Sequence, residues 1–198
     1  VVDHLIDAAI KGISFGGRLE AIDLLRDMPT DPRITVALRP LLNDDTLEIR
    51  LRTAETLIGR NDHAIEGGVV DKKFELYVVP SEYPLIYCTQ AGLPKIILLG
   101  DLKIQDPLMF ATWSNRFMLK GSDSSEELLD VYFKTDDNRG TLTETISQKL
   151  PAFIYFLAHK PIPESPTLGL NLSYSRTIGV LHSLWREEHL LGMNDKVV

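Results

Sequence analysis

The sequence has few features of a disulfide-stabilised scaffold or of a membrane protein. Its one cysteine, Cys88, cannot form an intrachain disulfide, and we expect it to be half-buried in a strand. The longest apolar stretches, residues 95–100 and 152–158, are far shorter than the roughly 20 residues of a membrane-spanning helix. No five consecutive residues carry charge of one sign, and the net charge is −7. We therefore expect neither nucleic-acid binding nor membrane insertion, because anionic partners require clustered Lys and Arg.

Sequence patterns of catalytic and cofactor sites are also scarce. Neither the GxGxxG nor the GxxxxGK phosphate-binding pattern occurs. His182 and His189 are seven residues apart, whereas helical zinc-ligand pairs are about four apart. The acidic residues Asp123, Glu126 and Glu127 indicate a solvated loop, with a calcium site as the alternative. We expect no catalytic, cofactor-binding or metal-binding residues, and hence no enzyme.

Residues 1–67 have the apolar spacing of amphipathic helices. Asp31 followed by Pro32 marks one helix start, because the acid can accept a free amide and proline lacks an amide that would need a partner there. Pro40 interrupts the apolar stripe that follows, so we expect the helix to kink or end there. The doublet Gly67-Gly68 lies where the helical pattern stops, and we interpret it as a hinge or linker.

The segment from Asp44 to Arg50, with Ala54 and Leu57 after it, resembles the HEAT-repeat signature. The resemblance implies an α-solenoid in which Arg50 contacts turn carboxylates such as that of Asp44 and links neighbouring helical pairs. Arg18 begins a loose echo of this pattern about 32 residues earlier. Two unrelated helical hairpins are the alternative. Two units are fewer than the roughly three that a solenoid needs, so we expect them to pack against the second half or against upstream chain.

From about Phe74 the apolar period changes to two, which is typical of strands. Residues 95–99 are apolar on both faces and predict a central strand. A two-residue turn at Ser114-Asn115 and a turn at residues 136–140 join successive strands, which predicts an antiparallel meander.

Two helices and one further strand are predicted in the last 60 or so residues. The helices are expected after Ser147 and after Ser175, and alternating leucines at residues 168–172 predict the strand. Residues 68–198 therefore read as an α+β domain with an antiparallel meander sheet. The whole chain is predicted to be α+β, with a short HEAT-like α-hairpin segment followed by this domain.

Four aromatic residues of the predicted sheet form the candidate interaction surface: Phe110, Trp113, Phe117 and Tyr132. At period-two spacing, aromatic side chains usually belong to the core. If they are exposed together, they would be a binding face, because contiguous apolar patches mark interfaces.

Two segments resemble the C-terminal region of planctomycete-type flagellar basal-body P-ring proteins. They are residues 84–89, Pro-Leu-Ile-Tyr-Cys-Thr, and residues 94–100, Pro-Lys-Ile-Ile-Leu-Leu-Gly. In that family, too, a HEAT-like helical segment precedes the stretch and short strands follow it. The resemblance, over residues 18–190, implies a non-enzymatic structural part of a periplasmic ring around the flagellar rod. Its partners would be like subunits and other ring or rod components.

Two other functions remain open from the sequence. A HEAT-type protein-interaction scaffold unrelated to flagella would explain the first half equally well and would be cytoplasmic. A small-ligand-binding or hydrolytic α+β domain would need a pocket with a few convergent polar groups. The chain starts at Val1 without Met, and we expect it to be a processed or partial piece of a longer protein, so that any targeting signal would lie upstream of Val1.

Overall fold

The computed structural model describes residues 1–105, 109–135 and 140–191 and has the predicted α+β class. Its described residues form two compact units. The helical unit comprises residues 1–67 and 77–83, and the sheet unit comprises residues 68–76 and the described residues from Pro84 onward. The turn predicted at residues 136–140 lies, except for Gly140, outside the described residues.

The helical unit contains four α-helices and one 3₁₀ helix among its described residues. These are α1 (Val2–Lys11), α2 (Phe15–Asp27), α3 (Pro32–Leu38), the 3₁₀ helix (Arg39–Asn43) and α4 (Leu47–Gly59). The predicted helix start is confirmed, since the Asp31 carboxylate accepts the Arg33 amide at 3.0 Å. Pro40 also has the expected effect, because the α-helix ends and the chain continues as a 3₁₀ turn.

The helices of this unit pack as two hairpins side by side. Helices α1 and α2 form the first hairpin, and α3, the 3₁₀ helix and α4 form the second. Helix α1 packs on α2 and α3, whereas α2 packs on α4. The core between them is fully buried and consists of Ala9, Ile22, Leu25, Ile34, Leu38, Ile49 and Leu57. Burying each of these larger side chains contributes about 1.5–3 kcal/mol relative to leaving it exposed.

The first sheet has the strand order β1-β2-β4-β3. Its strands are β1 (Glu66–Val70), β2 (Phe74–Val79), β3 (Leu85–Thr89) and β4 (Lys95–Leu99). The predicted central strand is confirmed, because β4 lies inside the sheet and Ile96 to Leu99 are fully buried. Gly67 and Gly68, interpreted as a hinge or linker, lie within β1, and the boundary between the two units falls between them.

The second sheet is the predicted meander, with the order β6-β7-β8-β9. Its strands are β6 (Met109–Thr112), β7 (Phe117–Gly121), β8 (Leu128–Lys134) and β9 (Thr141–Ser147). The expected two-residue turn is wrong: Thr112 pairs with Phe117, so four residues form the turn. A short pair of strands, β5 (Lys103–Ile104) and β10 (Leu190–Leu191), is also present.

Helices α5 (Leu150–Ala158) and α6 (Tyr174–Arg186) complete the sheet unit. The ring of Phe153 in α5 contacts that of Phe117 in the meander, with centroids 6.4 Å apart. The strand predicted at residues 168–172 is absent. The amides of Leu170 and Leu172 instead donate to the Phe156 and Leu157 carbonyls of α5, and Asn171 between them has a φ of +55°, so the segment is bound to a helix end and is not a strand.

Candidate functional site

The carboxylate of Asp44 lies between the two helical hairpins, where it forms an ion pair with Arg18 of α2. Only 17% of the Arg18 side chain and 13% of the Asp44 side chain are exposed. Arg18 Nε also donates to the Ala9 carbonyl at 2.9 Å, and Asp44 Oδ1 accepts the Thr46 amide at 2.9 Å. Burial acts to raise the pKa of Asp44, but hydrogen bonds from Arg18 and Thr46 outweigh it and hold the pKa below its ordinary value. The pair therefore links α2 to the turn before α4.

Arg50 contacts the same turn through backbone carbonyls rather than carboxylates, which corrects the expected contact. Its Nη1 donates to the carbonyl oxygens of Asp44 and Asp45 at 2.6 and 3.2 Å. Its guanidinium lies 4.5 Å from the centre of the Tyr83 ring, whose hydroxyl donates to Asp45 Oδ1 at 3.0 Å. Arg50 lies in the first turn of α4, so its side chain reaches the carbonyls that precede the helix. The Asp44 carboxylate is instead paired with Arg18 from the other hairpin.

Two further arginines, Arg52 in α4 and Arg60 directly after it, contact α2 and the residues that follow α2, and sequence reasoning did not find them. Arg52 Nη1 donates to Asp23 Oδ1 at 2.6 Å. The guanidinium of Arg60 donates to four carbonyls around the end of α2, those of Leu25, Arg26, Met28 and Pro29, at 2.8–3.2 Å. The acceptors of Arg60 are backbone carbonyls, which are present at every residue, so the sequence has no pattern that identifies them. Together with Arg18, Arg52 and Arg60 link the two hairpins at three levels, and we call them the linking arginines.

A cleft of about 370 Å³ lies at the Arg60 end of the helical unit. Its lining includes Asp31, Arg60, Asp62 and His63. The Asp62 carboxylate is 1% exposed and accepts Arg39 Nε and Nη2 at 3.1 and 2.9 Å. Burial would raise the pKa of Asp62, but Arg39 and a backbone amide lower it overall. These charged groups are therefore held by contacts within the fold.

The candidate aromatic surface is divided between the core and the outside of the meander. Phe110 and Phe117 are 1% and 0% exposed, so the structure places them in the core and not on a surface. Tyr132 is half-buried on the opposite face, because it pairs with Met118 while Phe117 pairs with Phe133. The four rings therefore do not form one exposed face.

Trp113 is half-buried in the turn after β6. Its ring centre lies 5.8 Å from that of Phe117 and 5.8 Å from the Arg176 guanidinium carbon. Trp113, Ser114 and Asn115 have φ angles of +55°, +56° and +62°, a left-handed conformation that is unfavourable for residues with a Cβ. This turn is therefore the most strained segment of the meander that the structure describes.

A buried histidine outside the predicted sites contacts both an acid and a serine. His159, at the end of α5, is 1% exposed, and its Nδ1 lies 3.2 Å from the Asp71 carboxylate. Its Nε2 lies 3.1 Å from the Ser165 carbonyl oxygen and 3.4 Å from the Ser165 hydroxyl. A serine nucleophile requires Nε2 to accept the hydroxyl proton, but the nearer carbonyl can only accept a hydrogen bond. The ring therefore acts as a hydrogen-bond donor that holds the proline-rich loop of residues 160–166 in place.

Residues 12–16, Gly-Ile-Ser-Phe-Gly, have the spacing of a nucleophile elbow but not its setting. An elbow serine lies between a strand and a helix, whereas Ser14 lies between helices α1 and α2. Its hydroxyl accepts the Gly17 amide at 3.1 Å and so caps α2. The serine is accounted for by helix capping.

The remaining residues singled out from the sequence lie apart from one another. Cys88 is exposed on β3, which corrects the expectation of half-burial. The His182 ring contacts Trp185, and Asp123 pairs with Lys120 at 3.1 Å. Within the ranges that the structure describes, no three His, Cys, Asp or Glu side chains are grouped as metal ligands would be.

Comparison with family models, with curated proteins and with solved structures finds no match for this chain. None of the helices in the described ranges has the length and apolar content needed to cross a bilayer.

Proposed function

We propose that the chain is a non-enzymatic assembly module whose helical unit binds other proteins in the manner of a short HEAT-like stack. The observation that carries this proposal is the set of linking arginines. Arg18, Arg52 and Arg60 connect one hairpin to the next through acceptors 26–35 residues away. Lateral contacts of this kind are what an α-solenoid requires, because each of its helical pairs is stabilised by its neighbours.

The exposed residues around the turn between α1 and α2 support a role in assembly. Ile13 is fully exposed, and Ile10 and Phe15 are 38% and 49% exposed. Natural solenoids end in repeats with a polar outer face, so three apolar side chains near this turn favour a surface that contacts another protein. The flagellar P-ring setting, with a periplasmic location and like subunits as partners, is the specific form of this proposal, and a HEAT-type adaptor is its alternative.

Light scattering over a range of concentrations, combined with capture of ring and rod components, tests the proposal. A ring component is expected to self-associate or to retain those proteins on a column that carries the chain. A variant with Ile13→Asp and Phe15→Asp is the matched control, since it keeps the linking arginines and should lose partner capture. Absence of both self-association and capture would contradict the flagellar form.

The cleft at Arg60 favours ligand binding as a second candidate function. Its volume of about 370 Å³ falls in the range of small-molecule sites. Its lining is predominantly polar, and its charged side chains are held within the fold, which is why the assembly role is preferred. A shift of NMR signals from His63 and Asn61 on addition of a metabolite mixture would support this second function.

A further inference from the structure

We propose that β3 is a self-association edge, at which the β3 strands of two copies pair antiparallel and join their sheets. The proposal rests on the assembly function and names its surface and partner. Strand β3 ends the order β1-β2-β4-β3, with β4 as its neighbour in the part of the chain that the structure describes. A strand in that position has backbone groups on its outer side that favour pairing with another strand. At its end, the Thr89 carbonyl also accepts the Tyr174 hydroxyl at 2.9 Å.

The sequence of β3 favours its own copy as the occupant. Residues 85–89, Leu-Ile-Tyr-Cys-Thr, carry no charge, no glycine and no proline, and most of them have high strand propensity. A two-fold antiparallel pair brings each residue opposite a residue of the same short segment. Because β3 is uncharged, that arrangement juxtaposes no like charges.

The other sheet edges are less suited to self-pairing. Strand β9, at the end of the meander, has Glu144 at its centre, and a symmetric pair would place two glutamates opposite each other. Strand β1 contains Glu66 and two glycines, which weaken a strand. Strand β6 is uncharged but has four residues, and Ala111 among them has low strand propensity.

The expected association is weak, because Pro84 before β3 and the loop of residues 90–94 after it limit the length of the pair. A five-residue strand buries much less than the roughly 800 Å² per partner of a standard interface. We therefore expect the mass to rise from 22.3 kDa toward twice that value at concentrations on the order of 100 μM.

Sedimentation equilibrium of the intact chain and of two matched lysine variants tests this inference. Cys88→Lys adds a charge at an exposed position of β3, where the symmetric pair brings it close to its copy. Thr143→Lys adds the same charge at an exposed position of the β9 edge. The first is expected to weaken dimerisation at least tenfold, the second to leave it within twofold, and Cys88→Ser to behave as wild type. Unchanged circular dichroism shows that each variant is folded.

Cross-linking through the single thiol locates the interface. Although Cys88 is exposed as a residue, burial raises the pKa of its thiol to about 11 and so lowers its reactivity. The reaction with a short bis-maleimide is therefore run for a long time near neutral pH, where the reagent is stable and selective for thiols. Wild type should form a covalent dimer, and a Cys88→Ser/Thr143→Cys variant should form much less.

The outcomes separate this inference from the assembly function. Dimerisation that Cys88→Lys leaves intact overturns the β3 interface but agrees with self-assembly through another surface. A monomer at all concentrations overturns the β3 interface, and partner capture then decides the assembly function independently.

Discussion

Removing the Asp44 carboxylate should destabilise the helical unit much more than removing an exposed carboxylate. In Asp44→Ala, the largely buried guanidinium of Arg18 loses its anion and the Thr46 amide loses its acceptor. Breaking one side of a buried pair reduces the free energy of unfolding by about 3–5 kcal/mol, and the residual exposure here favours the lower end. Adding about 1 kcal/mol for the Thr46 hydrogen bond to this lower end, about 3 kcal/mol, we expect a loss of about 4 kcal/mol.

Asp44→Asn and Asp3→Ala are the matched controls. The asparagine can still accept the Thr46 amide, so we expect its loss to be about 1 kcal/mol smaller than that of the alanine variant. Asp3 pairs with Arg33 in a bridge whose side chains are 77% and 63% exposed, and its removal should change stability by less than about 0.5 kcal/mol.

Urea unfolding followed by circular dichroism and by tryptophan fluorescence measures these effects in the appropriate unit. Both tryptophans, Trp113 and Trp185, belong to the sheet unit, so fluorescence reports on that unit and circular dichroism also reports on the helices. A loss below about 1 kcal/mol in Asp44→Ala, or an equal loss in Asp3→Ala, would refute the claim that this pair holds the hairpins together.

The same pair has a defined dependence on pH. The pKa of Asp44 is lowered in the folded protein, so its stabilisation is present above the unfolded value of about 3.9 and is lost as the pH falls through the folded value. The stability difference between wild type and Asp44→Asn should therefore shrink on acidification below about pH 4. A difference that stays constant between neutral pH and pH 2 would contradict the assignment of this pKa shift to the ion pair.

Other substitutions test the packing of both units. In Gly169→Ala the new Cβ would lie 2.2 Å from the His159 carbonyl oxygen, so we expect fluorescence-detected unfolding to show a loss of about 3 kcal/mol. In Gly179→Ala, in α6, no atom lies within 4 Å of the new Cβ, so we expect the free energy of unfolding to rise by about 1 kcal/mol. A change of the same sign in both variants would contradict these predictions. Thr53→Val removes a fully buried hydroxyl that has no hydrogen-bond partner, so we expect the free energy of unfolding to rise by about 1 kcal/mol and the urea midpoint to rise with it. A fall in the free energy of unfolding would show that the hydroxyl does have a partner. Ser114→Gly relieves a left-handed φ of +56° and should raise the melting temperature, whereas a fall would show that the turn is not strained.

Local features of the fold were predictable because their causes lie within a few residues. The Asp31 cap, the interruption at Pro40 and the buried strand at residues 95–99 each depend on neighbouring residues. The strand predicted at residues 168–172 was wrong because a period-two pattern does not show what the backbone bonds to: this segment bonds to the end of α5, and Asn171 has a φ of +55°. Strand β1 was missed because its glycines weaken the period-two pattern.

The candidate site was predictable only in part. Asp44 was identified, but its partner was expected to be Arg50 and is Arg18. His159 and Asp71 are 88 residues apart in the sequence, so no local sequence pattern predicts their contact.

The sequence by itself determined where the helices and most of the strands form, because helix caps, proline and apolar periodicity act through the nearest few residues. Tertiary structure alone decided which charges meet, which aromatic rings are covered and which strand ends each sheet. Those outcomes depend on side chains and carbonyls brought together from distant segments. Since every residue has a backbone carbonyl, the sequence does not show which carbonyls will accept a hydrogen bond.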